Sequence, residues 1–176
     1  MRRHGGRFQL LTRLGLLILA AAASGPTLLG QTAQSPIHLS AEPTVIPLPL
    51  SIDVARSGGL SDYVRSLSGD EKLVLVIEGL HTDRPPDGVY QVYLRSAGMT
   101  TAKGIYAGSI SFFGSVPAGD RGAERSISLD VTAPIRSATG EIRIGAAAEV
   151  MIRPQGNMAQ DAHPSVQRIA LFSQRS

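Results

Sequence analysis

Residues Lys72–Glu78 read KLVLVIE, an unbroken apolar run closed at each end by a charge. The run is too short for a buried helix and rich in β-branched residues, so it reads as a strand covered on both faces. Downstream, Val89–Arg95 (VYQVYLR), Ile105–Val116 (IYAGSISFFGSV) and Val166–Phe172 (VQRIALF) repeat the theme. In Arg125–Val131 (RSISLDV) strict alternation turns Ile127, Leu129 and Val131 to one side. Gly, Pro, Asp and Ser separate the runs, and no long stretch holds a helical apolar period. The pattern predicts an all-β chain, an antiparallel β-sandwich, jelly-roll-like, of about seven to eight strands.

Upstream, Thr44–Val54 (TVIPLPLSIDV) contains Pro47 and Pro49, which cannot donate to a ladder, so it belongs at a sheet edge. Gly59–Leu67 carries a weak helical pattern with Ser61 as its N-cap. Polar loops are expected at Gly79–Gly88 and Gln155–Pro164, and bulges or close backbone approaches at Gly108 and Gly114. Glu141–Arg153 reads either as one long strand bent at Gly145 or as a pair of strands.

The N-terminal end is of a different kind. Arg2, Arg3, Arg7 and Arg13 precede the apolar run Leu14–Ala23 (LGLLILAAAA), and Ser24, Gly25 and Pro26 follow it. This is the layout of a secretory signal peptide, too short to span a bilayer, with cleavage between Ala22 and Ser35. Residues 1–35 are read as signal and leader and residues 36–176 as a single domain, secreted or periplasmic, with no membrane attachment after cleavage. Four of the 17 Lys and Arg lie in that segment, so 13 remain against 14 acidic residues, a net charge of −1. The basic balance of the whole chain thus belongs to targeting, and no basic cluster with interleaved aromatics is left to bind nucleic acid. The absence of Cys removes disulfides, thiolate metal sites and thiol nucleophiles together.

Taken in order, LVLVIEGL at Leu73–Leu80, VYQVYL at Val89–Leu94 and YAGSISFFGSVP at Tyr106–Pro117 resemble the C-terminal (KFDV-type) accessory domain of polyphenol oxidases and related tyrosinases. In that family a string close to VLVIEGI precedes KFDVYV, which precedes FAGSFVNVPH, and TVIPLPLSIDV resembles the strand that joins the domain to the catalytic part. The departures are Tyr90 in place of Phe, Gln91 in place of Asp, and extra residues around Ser111 to Gly114. The resemblance covers Thr44 to Ser173. It implies a sandwich that packs over a dicopper catalytic domain and shields its entrance while carrying no copper ligand itself. The chain's four histidines, His4, His38, His81 and His163, are too few for a type-3 centre, which takes three on each copper. The implied partner is therefore a tyrosinase-like type-3 copper oxidase on another chain, with this protein acting in trans as a shield, folding aid or copper-loading helper.

Such a partner would be held by aromatic anchors, for which Tyr90, Tyr106, Phe112 and Phe113 are the candidates. The plainer reading turns Tyr90 and one of the adjacent Phe residues into the core, leaving the other Phe outside. His38, His81 and His163 are the candidate metal ligands, with Met99, Met151 and Met158 as soft donors, but their spacing forms no metal motif and no cofactor is assigned. Ser109 lacks a nucleophile elbow, and Asp83 and Asp87 flank Pro85 and Pro86 as turn residues, so no catalytic residue is assigned. A small copper-binding carrier and a structural or adhesive sandwich are the alternatives.

Overall fold

A computed structural model of the chain describes residues 25–32, 35–84, 87–99, 103–112, 125–138, 142–156 and 161–175. In chain order its elements are β1 (Thr27–Gln31), β2 (Ile37–His38), β3 (Thr44–Pro49), α1 (Ile52–Arg56), α2 (Leu60–Ser66), β4 (Glu71–Leu80) and β5 (Val89–Ser96). There follow β6 (Ile105–Ile110), β7 (Arg125–Asp130), α3 (Thr132–Ser137), β8 (Ala147–Gln155), β9 (Ser165–Val166) and β10 (Arg168–Arg175). Two four-stranded antiparallel sheets, ordered β1-β10-β4-β7 and β3-β8-β5-β6, form an all-β sandwich, and β2 pairs with β9 as a two-stranded patch.

The KLVLVIE run occupies an inner position of the first sheet, as its continuous hydrophobicity requires. Its Leu73, Leu75 and Ile77 are fully buried and lie in register with Ser173, Leu171 and Ile169 of β10. In the second sheet Tyr90, Val92 and Leu94 of β5 and Ala148, Val150 and Ile152 of β8 are buried in the same core. Each such aliphatic side chain contributes roughly 1.5–3 kcal/mol by leaving water. Pro47 and Pro49 do sit on an edge strand, β3.

Three expectations change. The Glu141–Arg153 stretch becomes a strand only from Ala147, because the residues before it are tied to α2. Leu60 N–H and Ser61 N–H donate to the carbonyls of Gly145 (3.2 Å) and Ile144 (3.0 Å), and Ile144 N–H donates to Ser61 Oγ at 2.9 Å. Ser61 therefore braces this crossing inside the helix, and Gly59 is the N-cap. A side chain at Gly59 is excluded twice over: its φ is +116°, and a Cβ would lie 2.5 Å from the Gly145 carbonyl carbon. Secondly, the Thr44–Val54 run is a strand only to Pro49, and Ile52–Arg56 turns as α1; TAPIRS after β7, for which no element was expected, forms α3, with Pro134 near its start, where a missing N–H costs nothing.

Thirdly, the segment read as leader reaches into the sheet. β1 pairs with β10, Leu29 is 2% exposed, and Thr32 exchanges bonds with Ile169 through its N–H and its Oγ1. Residues ahead of 36 therefore belong to the described sheet: β1 covers the β10 edge, and Leu29 fills the core beneath it. The Arg-flanked run up to Ala23 lies outside the described residues.

Candidate interaction face

Alternation in β5 decides which residues the second sheet shows to the outside. Tyr90, Val92 and Leu94 point inward, so Val89, Gln91, Tyr93 and Arg95 line the outer face. Register brings Arg153 of β8 and Ser109 of β6 beside Gln91, Met151 and Tyr106 beside Tyr93, and Glu149 beside Arg95. Val45 of β3 extends the Tyr93 row through Met151.

These side chains form a bonded cluster. Arg153 Nη2 donates to Gln91 Oε1 and to Tyr93 Oη, both at 2.8 Å, and its guanidinium lies 5.0 Å from the centre of the Tyr93 ring. Tyr93 O–H donates to Gln91 Oε1 at 2.8 Å, and Gln91 Nε2 donates to Gln155 Oε1 at 2.9 Å. The rings of Tyr93 and Tyr106 meet edge to face, with centroids 5.5 Å apart. Lower on the face, Arg95 Nε donates to Glu149 Oε2 at 2.8 Å, and both side chains are mostly buried.

A β-bulge completes the arrangement. Tyr106 and Ser109 are an odd number of residues apart and would face opposite sides of a regular strand, yet their hydroxyls are bonded at 2.7 Å. The ladder shifts between Val92 and Tyr93, where Ala107 is the extra residue on β6. Gly108 makes this possible: its φ is +150°, and a Cβ there would lie 2.9 Å from a Leu129 methyl of β7. The expected bulge at Gly108 is thus present, while Gly114 lies outside the described residues.

The candidate anchors divide sharply. Tyr106 is 49% exposed on this face. Tyr90 and Phe112 are 1% and 0% exposed and touch edge to face in the core, so neither can anchor a partner. Burial also pushes the Tyr90 phenol above its ordinary pKa. Phe113 lies outside the described residues. Gln91, Tyr93 and Arg153 were not among the anchors read from sequence. The signal for two of them was present in VYQVYLR, since placing Tyr90 in the core turns Gln91 and Tyr93 out; Arg153 joins them only through the β5–β8 register.

His38, His81 and His163, dispersed in sequence, gather near Ser165. His38 and His81 lie opposite Ser165 from its two sides. His81 Nε2 and His163 Nδ1 flank the Asp83 carboxylate at 3.4 and 2.8 Å. Asp83 is held below its ordinary carboxyl pKa, chiefly by the bond to His163 and also by His81. Thr82 beneath them is fully buried and donates to the carbonyl of Ala162 at 2.7 Å, tying the two loops together. Among the described residues no three His, Asp or Glu side chains converge as a metal-binding group.

Compared with known proteins, the chain matches no protein-family model and no curated protein. Among solved structures it is similar to latent apple tyrosinase, at 19% identity and a TM-score of 0.44, over 89% of this chain and 30% of that one. Two structures of recombinant latent aurone synthase, a polyphenol oxidase, match at 15% and 14% identity with TM-scores of 0.42 and 0.45. They cover 80% and 85% of this chain but 25% and 29% of those chains. The chain therefore spans less than a third of the length of these polyphenol oxidase structures.

Proposed function

We propose that this protein is a non-catalytic accessory sandwich that binds a tyrosinase-like type-3 copper oxidase in trans. The observation that carries the proposal is the outer face of the second sheet. Tyr and Arg side chains are immobilised there beside exposed apolar ones, the residue types that concentrate binding energy at protein interfaces. The oxidase as partner rests on the sequence resemblance, whose three strings fall on β4, β5 and β6. Export is directed by the Arg-flanked apolar run. Cleavage between Ala22 and Thr27 suits the sheet, because β1 then stays in the mature domain.

Co-expression with a type-3 copper oxidase that lacks its own C-terminal domain tests the proposal. Co-elution in a one-to-one complex, with oxidase activity altered by adding or removing this chain, is the expected result. An oxidase that neither co-elutes nor changes its activity or copper content overturns it.

A further inference from the structure

We infer that Arg153 is the recognition group of a carboxylate-binding spot on the outer face of the β3-β8-β5-β6 sheet, and that its ligand is an Asp or Glu side chain of a partner polypeptide. The inference deepens the accessory reading and rests on it only for which protein the partner is.

The first ground is charge. Arg153 forms no ion pair among the described residues, although Arg56, Arg65, Arg84, Arg95, Arg143, Arg168 and Arg175 all do; Arg136 forms none either, but donates to the carbonyls of Val64 and Leu67. The nearest acid along its strand face, Glu149, is committed to Arg95 at 2.8 Å and also accepts the Gly98 N–H. Gln91, Gln155, Tyr93, Tyr106 and Ser109 around Arg153 are all neutral, so among the described residues no acid on this face is paired with its charge.

The second ground is preorganisation. An ordinary surface arginine loses much rotamer freedom when it grips a ligand. Here Nη2 is already held by Gln91 and Tyr93, and the guanidinium plane rests against the Tyr93 ring. With both Nη2 hydrogens committed, Nε–H and Nη1 remain as separate donors on opposite edges of the guanidinium, each open to one carboxylate oxygen by a charge-assisted bond.

The surroundings favour a polypeptide over an acidic glycan. Val45, Val89 and Tyr106, 41%, 37% and 49% exposed, lie on this same face and ring the cation. A protein segment supplies aliphatic side chains to cover them next to its acid, whereas a uronate chain offers hydroxyls. A lone cation in an apolar rim also differs from the row of cations that tracks a polyanion.

The test titrates the isotopically labelled full chain with a blocked peptide, acetyl-Gly-Val-Glu-Val-Gly-amide, and follows the Arg153 Nε–H and the amides of Gln91 and Tyr93 by NMR. Saturable shifts are expected, with binding weakened at least about tenfold by Arg153→Gln and by a Gln-for-Glu peptide. Unchanged binding in any of these arms, or no saturable shift with the wild-type chain, overturns the inference. Tighter binding of trigalacturonate than of the peptide overturns it in favour of a glycan. Because no oxidase is present, failure here leaves the accessory reading standing, and success leaves the oxidase itself still to be tested.

Discussion

The outer faces of the two sheets are built from the same alternation but are spent differently. On the β1-β10-β4-β7 sheet the outward row Leu28, Phe172 and Val74 is apolar until it ends at Asp130, and the next runs Gln31, Ala170, Val76 and Ser128. Its arginines Arg168 and Arg175 each have a carboxylate partner, Glu78 and Glu71. On the other sheet the corresponding rows hold two tyrosines, two glutamines and an arginine with no acid. The first face pairs its outward arginine, Arg168, and leaves Lys72 without an ion pair among the described residues; on the second the residue so left is Arg153, held inside a bonded aromatic cluster. Binding potential in this molecule therefore follows where charge and ordered aromatic surface remain unmatched, rather than where apolar area is greatest.

The sharpest way to break the contrast is Gly108→Val. It forces a β-branched residue to adopt φ +150° and drives its Cβ into Leu129. We expect a loss of about 3 kcal/mol, read from urea denaturation, with loss of the Tyr93–Tyr106 ring contact in NMR spectra. Stability retained within experimental error would show that the bulge is not needed for the tyrosine pair.

The two intra-face ion pairs give a matched comparison of intermediate size. Arg95–Glu149 is 11% and 15% exposed, whereas Arg168–Glu78 is 27% and 30% exposed. Glu149→Gln is expected to cost about 2–3 kcal/mol, since it removes the negative charge opposite a largely desolvated guanidinium. Glu78→Gln is expected to cost less than about 1 kcal/mol, because water screens that pair. Equal costs would mean that the two faces are equally wet.

The smallest effect concerns the end of the sandwich. The Asp83 carboxyl is held below its ordinary value of 3.8 by His163 and His81. A group depressed in this way stabilises the fold above 3.8 and loses that contribution as pH falls through its folded value. Asp83→Asn is therefore expected to melt below the wild type near neutral pH, with the gap closing in acid. A gap independent of pH would separate the loop's stability from this carboxyl.

How much was legible beforehand varied with the range of the interactions involved. KLVLVIE announced its inner position through composition alone, and Pro47 and Pro49 marked an edge because a missing N–H is a local fact. TAPIRS gave no signal and the Glu141–Arg153 stretch misled, for the opposite reason. A six-residue helix lies below the length at which periodicity speaks, and EIRIG has strand chemistry but is captured by α2 through Ser61. β1 was hidden because TLLGQ comes three residues after the apolar run Leu14–Ala23, and only its pairing with β10 sets it apart.

The anchors show the same division. From VYQVYLR alone it followed that Tyr90 and Tyr93 face opposite sides, a consequence of the two-residue period of an extended chain. Which side met the core depended on the second sheet lying against it. That Arg153 would meet Tyr93 across strands, that Tyr106 and Ser109 would share a face, and that three scattered histidines would gather near Ser165 were decided by register, a bulge and loop closure. These couple residues distant in sequence, so the sequence by itself determined the strands and their two faces, and only the tertiary structure decided which side chains stand together on them.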